Sequence, residues 1–320
     1  MNPPSAGSVL GWASVNALNQ NGTTGGGNAT PQVVTNRFAF AAAVAGSAPA
    51  VVYVNGVLDP TSVFIGSNKT IVGVCGGEFH GHIGLNASSN VIVRNLKIVG
   101  YGVGDCTLDP AFDPVVGCSS GADAVTISNA SHHVWFDHCD ISDGTDGNLD
   151  INSGSDFITV SWTKFHYTPR RDDVGNDSTG ASGHRFSNLI GSADVVPEDV
   201  GHLNITWHHN WWADNVNQRM PRTRHGKIHV VNNLFSSTGN SYCTNAGFEA
   251  TLLVENNIYI GVNNPLSPDA NGDMLARDNV FTGTTGTTTA SGTGFTPPYA
   301  FTPEATGSLE DAIRNGAGPR

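Results

Sequence analysis

The chain has 320 residues, a formal net charge of −12 and only 15 Lys and Arg residues. No apolar run reaches the roughly 18 residues that a membrane-spanning helix needs, and so acidic a chain is not expected to bind nucleic acid. The 39 glycines and 16 prolines predict many turns and short strands rather than long helices.

The N-terminal residues, MNPPSAGSVLGWAS, lack the charged and apolar regions of a signal peptide. The protein is therefore expected either to be cytoplasmic or to have had its signal replaced by an initiator Met. The first predicted helix is the segment 35–46, which has Thr35 or Asn36 as its cap, an alanine-rich body and a final glycine. We expect this helix to cap the N-terminal end of the fold.

A repeat of 22 to 24 residues follows. The segments SNKTIVGV and SNVIVRNL begin at Ser67 and Ser89, 22 residues apart. Each repeat alternates apolar and polar residues over about five positions, which is the period of a strand, and no helix-length pattern separates the repeats. This spacing excludes a βαβ array and predicts an all-β solenoid of parallel strands, with coils about 4.8 Å apart. A β-sandwich explains the fixed period less well.

Four later repeats end in asparagine, at Asn210, Asn233, Asn257 and Asn279, with intervals of 23, 24 and 22 residues. Asn tolerates left-handed backbone angles at a turn. Stacked Asn side chains can also hydrogen-bond along a stack of strands. We expect these residues to serve both purposes along the axis of the solenoid.

Two long segments, 101–121 and 166–187, interrupt the repeat and are rich in Gly, Asp and Pro. Loops inserted into a repeat array usually collect on one face, and that face often binds a ligand. The whole chain, 1–320, is expected to form one domain, with its inserted loops on one face.

The C-terminal part carries two further elements. The segment 282–294, rich in Thr and Gly, is predicted to be a flexible surface loop. The segment 308–316 is predicted to be a second capping helix, with Ser308 and Asp311 forming a capping box.

The five cysteines leave at least one without a partner in the chain. Cys106 and Cys118 bracket a short loop, and they either form a disulfide, as in an oxidising compartment, or are buried thiols. No CxxC spacing is present, which counts against a zinc site.

Three aspartates are predicted to lie on two neighbouring coils. Asp123 opens one repeat, while Asp146 and Asp150 lie in DGTDGNLDI of the next. If the three lie on adjacent rungs, their mutual repulsion requires a cation, and calcium is the natural match because it takes several oxygen ligands in flexible geometry. The alternative is that these aspartates cap turns and accept backbone hydrogen bonds.

Two pairs of neighbouring polar residues suggest a site at first sight. Asp137 and His138 are adjacent on a predicted strand, as are His208 and His209. Because neighbours on a strand point to opposite faces, we expect structural roles for them rather than a metal site.

Several motifs, in this order, resemble the pectate lyase family, the first family of polysaccharide lyases. They span roughly residues 11–260. They are GWAS…TTGGG, SNKTIVG, SNVIVRNLKI, ADAVTI, VWFDH, DGNLDI, ITVSWTKF, NLIGSAD, ITWHHNWW, QRMPRTRHG and HVVNNLF.

The resemblance implies a right-handed parallel β-helix that is secreted and cleaves polygalacturonate by calcium-dependent β-elimination. It also implies that Asp123, Asp146 and Asp150 bind Ca²⁺. Arg219, in QRMP, matches the family's catalytic base. Arg224, five residues later, matches the arginine that holds a substrate carboxylate.

One position departs from the family pattern. The family usually has a lysine three residues before the leucine of LIG, and here that residue is Phe186. Arg185 is the nearest cation and our candidate for binding substrate; Lys164, Arg170 and Arg171 are alternatives. We expect Arg222, by strand alternation around Pro221, to point away from the site into a structural ion pair.

The implied chemistry removes the proton at C5 and builds up charge on the neighbouring carboxylate, so catalysis should place positive charge there. Arginine releases its proton only at strongly alkaline pH, so Arg219 as base predicts a strongly alkaline optimum. Its alternative role is a purely electrostatic clamp.

Three other functions remain open from the sequence. They are a pectin lyase acting on methyl-esterified polymer, a β-helical hydrolase with an Asp pair flanking a water, and a non-catalytic polysaccharide-binding β-helix. We expect a monomer.

Overall fold

The computed structural model describes residues 7–102, 106–115, 121–169 and 184–320. Within them, short strands pair in parallel with the strands one coil before and one coil after. Ile158, for example, is in register with Val134 on one side and with Ile205 on the other. The predicted all-β, right-handed parallel β-helix is confirmed.

The strands form three parallel sheets, which we name the long sheet, the short sheet and the site sheet. Strands β4 (Ala50–Ile65) and β5 (Lys69–Asn86) run through all three. An antiparallel pair, β1 (Asn16–Ala17) and β2 (Gln20–Asn21), precedes them.

The remaining strands of the long sheet are β3 (Pro31–Val34), β6 (Ser89–Arg94), β9 (His132–Asp137), β12 (Asp156–Ser161), β15 (Ile205–His208), β18 (Lys227–Val231), β21 (Thr251–Glu255) and β24 (Asp273–Arg277). Those of the short sheet are β7 (Lys97–Val99), β10 (Asp140–Ser142), β13 (Lys164–His166), β16 (Trp211–Trp212), β19 (Leu234–Phe235), β22 (Ile258–Ile260) and β25 (Val280–Thr282). Those of the site sheet are β8 (Val125–Ser128), β11 (Leu149–Ile151), β14 (Leu189–Ile190), β17 (Arg222–Thr223), β20 (Thr244–Ala246) and β23 (Leu266–Pro268).

The interior is filled by side chains that stack on their equivalents in the next coil. An aromatic column illustrates this packing. It runs through Phe165, Trp212, Phe235, Tyr259 and Phe281, with successive ring centroids 5.7, 4.6, 4.3 and 5.1 Å apart. Offset stacking of this kind adds to the free energy gained from burying the rings.

The predicted asparagine ladder is also present. Nδ2 of Asn210 donates to Oδ1 of Asn233 at 3.1 Å, Asn233 donates to Asn257 at 3.0 Å, and Asn257 donates to Asn279 at 2.9 Å. The expectation that these four residues take left-handed angles is wrong. The residue before each one has positive φ instead, namely His209, Asn232, Asn256 and Asp278.

The two predicted helices are found as α1 (Arg37–Val44) and α2 (Leu309–Gly316). The Asn36 side chain caps α1 by accepting from the N–H of Ala39 at 2.9 Å. The predicted capping box at Ser308 is absent, because the Ser308 side chain makes no cap hydrogen bond and a 3₁₀ turn leads into α2 instead. The apolar side of α2 packs on the short sheet, against Leu234 and Ile258.

The segment 282–294, expected to be a flexible loop, follows the solenoid through backbone hydrogen bonds. Thr285 accepts from Asn264, and Ala290 accepts from Ala276 at 2.9 Å. Its flexibility stays a prediction, but the segment lies against the last coil rather than leaving the surface.

The expected structural roles of the neighbouring polar pairs are supported. Asp137 is buried and accepts from the Ser161 hydroxyl at 2.7 Å. His208 and His209 are buried with their Nδ1 atoms 3.0 Å apart. Among the described residues, neither pair belongs to a metal-binding group.

Cys75, Cys139 and Cys243 are free thiols. The proposed partner of Cys106, Cys118, lies outside the described residues. No helix in the described ranges is both long and apolar enough to cross a membrane.

One buried charge holds the N-terminal coils together. The side chain of Lys69 is buried, and its ammonium donates to the carbonyls of Gly46, Ala48 and Ser67 at 2.7 to 2.8 Å. Gly46 and Ala48 lie between α1 and β4, and Ser67 lies between β4 and β5. Lys69 therefore replaces the water that the carbonyls of these connections would otherwise bind.

We expect Lys69→Met to lower the free energy of unfolding by about 3 kcal/mol, because the buried carbonyls lose their donor. Denaturant unfolding would measure this change. The matched variant Lys97→Met, at a side chain that is 43% exposed, should cost less than about 1 kcal/mol. Equal effects of the two substitutions would contradict this role for Lys69.

Candidate active site

Two of the predicted carboxylates adjoin on the site sheet. Asp123 precedes β8, and Asp150 lies in β11, one rung along. Asp123 Oδ2 accepts from the Thr126 hydroxyl at 2.9 Å, and Asp150 Oδ1 accepts from the N–H of Leu189 at 2.9 Å. Asp123 Oδ1 is buried and has no hydrogen-bond donor among the described residues. An acceptor left in this state is costly unless a ligand satisfies it.

A glycine keeps the space between these two carboxylates open. A Cβ at Gly147 would lie 2.9 Å from Asp123 Oδ1 and 2.8 Å from Asp150 Oδ1. Any larger residue would therefore crowd both oxygens, and glycine leaves the place between them free. The two oxygens and this gap form a cradle that fits a hard cation with oxygen ligands.

Burial makes both carboxylates hard to ionise. It raises the pKa of Asp123 to about 7, with a further contribution from the charge of Asp146. Burial also raises the pKa of Asp150, with repulsion from Asp123 as the next cause. Two buried acids with this mutual repulsion are expected to bind either protons or a cation.

The third carboxylate contacts a histidine. The side chain of Asp146 is 49% exposed, and its Oδ1 lies 2.8 Å from His184 Nε2. No group of three or more His, Cys, Asp or Glu side chains in the described ranges could hold a metal ion as it stands. The structure thus brings Asp123 and Asp150 together and places Asp146 near them, but it does not show a preformed trio.

Arg219 faces this acidic cradle. It lies just before β17 and has a left-handed backbone, with φ of 63°. Its guanidinium carbon is 4.2 Å from the centre of the Phe186 ring, and its Nε is buried with no acceptor among the described residues. Its positive charge acts to lower the pKa of both Asp123 and Asp150, against the larger effect of burial. The contact with the ring and the acidic neighbours hold the guanidinium in place.

Arg224 is already engaged. Its Nε donates to Asp194 Oδ1 at 2.9 Å, and its Nη1 donates to the carbonyls of Gly191 and Ser192 at 2.8 and 3.2 Å. Asp194 is 62% exposed, so this ion pair is weak. An anionic ligand could therefore take the place of Asp194 at low cost.

The expectation for Arg222 is wrong. Within the described part of the chain it forms no ion pair, and its side chain does not point away from Arg224. Both side chains line one pocket of about 140 Å³, together with Asp194, Gly247, Phe248, Asp269, Ala270 and Asn271.

Arg185, our candidate for the missing cation, lines a different pocket. That pocket has a volume of about 180 Å³ and is bordered by Asn215, Asn217 and Gly239. Of the alternatives, Lys164 lies over the Trp211 ring at 5.0 Å, and Arg170 and Arg171 lie outside the described residues.

The structure instead brings His184 and Phe186 to the carboxylates, and sequence reasoning missed both. The centres of their rings lie 4.3 Å apart. His184 contacts the Asp146 carboxylate, and Phe186 contacts the Arg219 guanidinium. Alternation around Arg185 was the available signal, because residues on either side of it share a face.

The arrangement can bind an anion and transfer a proton at the same site. A buried acidic cradle that fits a cation lies beside a fixed guanidinium, and two further arginines line the adjoining pocket. Such a site suits a substrate that carries several carboxylates and develops more negative charge as it reacts.

Comparison with known proteins points the same way. The family model described as pectate lyase matches residues 2–319. Pectate lyase A of Aspergillus niger is 33% identical over 97% of this chain and 87% of its own length. A pectate trisaccharide-lyase of Thermotoga maritima is 36% identical over 56% of this chain and 45% of its own.

Solved structures of pectate lyases are also similar. One from a Bacillus species, in complex with trigalacturonate, superposes with a TM-score of 0.76 at 25% identity and covers 97% of this chain and 98% of its own. A variant of the Bacillus subtilis enzyme gives a TM-score of 0.75 at 23% identity, over 98% of this chain and 97% of that one.

Proposed function

This chain belongs to the pectate lyase family and is a polysaccharide lyase, and from that premise we propose its specific activity. It is a secreted enzyme that cleaves α-1,4-linked polygalacturonate by calcium-dependent β-elimination and yields 4,5-unsaturated oligogalacturonates. The observation that carries the proposal is the open acidic cradle of Asp123 and Asp150 next to the stacked guanidinium of Arg219. The complex of the Bacillus relative with trigalacturonate supports the substrate class.

Calcium would be held by Asp123 and Asp150, with Asp146 as the third ligand once it leaves His184. The orphaned Asp123 Oδ1 and the gap above Gly147 support this assignment. When bound, the ion supplies a Lewis acid that stabilises the negative charge developing on the substrate carboxylate.

Arg219 is the proposed base. In its neutral form it takes the proton from C5, and the electron pair of that bond forms the double bond between C4 and C5. The bond from C4 to the linking oxygen breaks, and this oxygen leaves with the other sugar unit and takes a proton from water. Phe186 holds the guanidinium plane for this transfer, which must take place within hydrogen-bond reach. Arg224 would exchange Asp194 for the substrate carboxylate in a planar, bidentate contact.

Arg185 is proposed for a more distant substrate contact. Its pocket is separate from the cradle, and its buried Nε has no acceptor among the described residues. A carboxylate of the polymer outside the reacting unit would satisfy it.

The test is an absorbance assay for unsaturated uronides on polygalacturonate and on methyl-esterified pectin, each with calcium and with chelator. We expect signal on polygalacturonate with calcium, and loss of that signal with chelator. Chelator-resistant signal on methylated pectin alone would indicate a pectin lyase. New reducing ends without absorbance would indicate a hydrolase, and binding without either product would indicate a non-catalytic protein.

The raised pKa of Asp123, about 7, predicts how calcium binding depends on pH. Because the proton and the cation compete for this carboxylate, calcium affinity should fall as pH drops below 7. The folded state without calcium binds this proton more tightly than the unfolded chain does, so its stability should fall as pH rises from about 4 to 7. Calcium should therefore raise the unfolding temperature more at pH 8 than at pH 5. A larger calcium effect at pH 5 would contradict the assignment.

A further inference from the structure

One aspartate of the inserted segment 101–121 is buried beside the cradle. Asp109 follows a short 3₁₀ turn, Cys106–Leu108, and only 3% of its surface is exposed. Its Oδ1 accepts from the N–H of Ala111 at 2.9 Å, and its carbonyl accepts from the N–H of Phe112 at 3.0 Å. These two bonds turn the chain around Asp109 and leave its second carboxylate oxygen to contact the solenoid.

The second oxygen of Asp109 joins two neighbouring coils. Asp109 Oδ2 accepts from the N–H of Ala122 at 2.7 Å and from the Thr145 hydroxyl at 3.0 Å. The Thr145 hydroxyl also lies 2.7 Å from the Ala122 carbonyl, which accepts from the Thr145 N–H at 3.2 Å. Ala122 comes directly before Asp123, and Thr145 comes directly before Asp146. One carboxylate oxygen therefore links the backbones that carry two of the proposed calcium ligands.

The approach of Asp109 to the solenoid depends on a glycine. A Cβ at Gly121 would overlap with both Asp109 Oδ2 and Thr145 Oγ1. Any other residue at position 121 would therefore displace the carboxylate or the hydroxyl, because a packed interior has no room to spare. Thr145 itself is fully buried. The link between Asp109 and Thr145 is thus part of the packed structure rather than a meeting of two surface side chains.

The backbone of Asp123 is held on its other side by a histidine. His82 Nδ1 lies 2.8 Å from the Asp123 carbonyl, and since a carbonyl only accepts, this nitrogen carries the proton and donates. Burial and the charge of Asp146 raise the pKa of Asp123, and the nearby charge of Asp109 adds to them. Asp123 Oδ1 still has no donor among the residues that the structure describes. The Asp123 backbone is therefore held from two sides, while this oxygen stays open to a ligand.

We propose that Asp109 is a positioning residue for the cation site. Its carboxylate sets the separation between Ala122 and Thr145, and so the positions from which Asp123 and Asp146 reach one ion. Groups that orient metal ligands in this way are worth about 10- to 100-fold in metal affinity. This inference rests on the proposed function for the identity of the ion, but it assigns to the inserted segment a role that the elimination step does not require.

The test is a calorimetric titration of calcium chloride, without substrate, into wild type and into Asp109→Asn. Asparagine has one side-chain oxygen, so the N–H of either Ala111 or Ala122 loses its acceptor, and the negative charge is lost as well. We expect the Kd for calcium to rise about tenfold. The calcium concentration that gives half-maximal activity should rise by the same factor. At saturating calcium, kcat should stay within about twofold of wild type, because the bound ion restores the positions of its ligands.

Substitutions of Thr145 separate position from charge. Thr145→Val removes the hydroxyl but keeps the charge of Asp109, and it should weaken calcium binding about fivefold, the size of one lost hydrogen bond. Thr145→Ser keeps the hydroxyl and should recover most of the affinity. Asp113→Asn is the matched control, since it removes one negative charge from the same segment. Asp113 is exposed and accepts from the N–H of Val115, and its substitution should leave the Kd unchanged.

Thermal unfolding in chelator distinguishes this role from a purely structural one. If Asp109→Asn unfolds at lower temperature but binds calcium with the wild-type Kd, Asp109 only stabilises its loop and the positioning role is wrong. Equal losses of affinity in Asp109→Asn and Asp113→Asn would show a general effect of charge and would also overturn it. Both results leave the proposed function standing. Wild type that binds no calcium would overturn the calcium dependence of the proposed function together with this inference.

Discussion

Replacing Arg219 with lysine should lower kcat on polygalacturonate about 1,000-fold while leaving the fold intact. The guanidinium carbon lies over the Phe186 ring, 4.2 Å from its centre, and the guanidinium faces the carboxylates of Asp123 and Asp150. A lysine ammonium is a point charge on a flexible stem and cannot reproduce that planar placement. A correctly placed base contributes about 10²- to 10⁴-fold, and this sets the size of the expected loss. Initial rates at saturating calcium would measure it.

The pH profile separates a base from an electrostatic clamp. Because lysine loses its proton at lower pH than arginine, the residual activity of Arg219→Lys should peak at lower pH than the alkaline optimum of wild type. Arg277→Lys is the matched control, since Arg277 is 55% exposed and pairs with Glu255, and it should change kcat less than twofold. Near-normal turnover of Arg219→Lys with an unshifted profile would rule out Arg219 as the base.

The second large effect is expected for Asp150→Asn. Calcium affinity should fall at least about 100-fold, since even the partners that only orient metal ligands are worth about 10- to 100-fold. Activity at limiting calcium should fall with it. The amide oxygen can still accept from the Leu189 N–H, so the rung that joins β11 to β14 is preserved.

Removing this charge should also stabilise the protein in chelator. Asp150 and Asp123 repel each other in a buried place, and an amide ends that repulsion. Calorimetry for calcium and thermal unfolding in chelator would measure the two effects together. Asp311→Asn, in the first turn of α2, is the control and should change neither quantity. A variant that loses calcium affinity and also unfolds at lower temperature in chelator would show that Asp150 acts through the fold instead.

The solenoid could be predicted because its signal is local and repeated. The period of 22 to 24 residues and the recurring asparagines specify a stack of coils, and the ladder from Asn210 to Asn279 follows. The residues with left-handed backbone angles were predicted one position too late in the chain. The ladder needs the asparagine side chain directed along the stack, and the turn that makes this possible falls on the residue before it.

The cradle was predicted in part. The spacing of Asp123 and Asp150 in the repeat predicted that they lie close together on adjacent coils. The family resemblance predicted that Arg219 and Arg224 belong to the site. The direction of the Arg222 side chain was predicted wrongly, because side chains alternate between the two faces only within a strand. Here β17 begins at Arg222, while Arg219 lies in a left-handed turn outside it.

The contact of His184 with Asp146 could not have been read from the sequence. The two residues are 38 positions apart and share no repeat register. Their contact depends on how the segment before Arg185 returns to the sheet, and composition alone does not specify the path of such a connection.

The most direct test of β-elimination follows the oxygen of water. Trigalacturonate is incubated with the enzyme and calcium in water labelled with heavy oxygen, and the products are analysed by mass spectrometry. β-Elimination yields fragments whose masses sum to that of the substrate, one of them unsaturated, with no label at the cleaved bond. Incorporation of label into saturated products would show hydrolysis and rule out β-elimination.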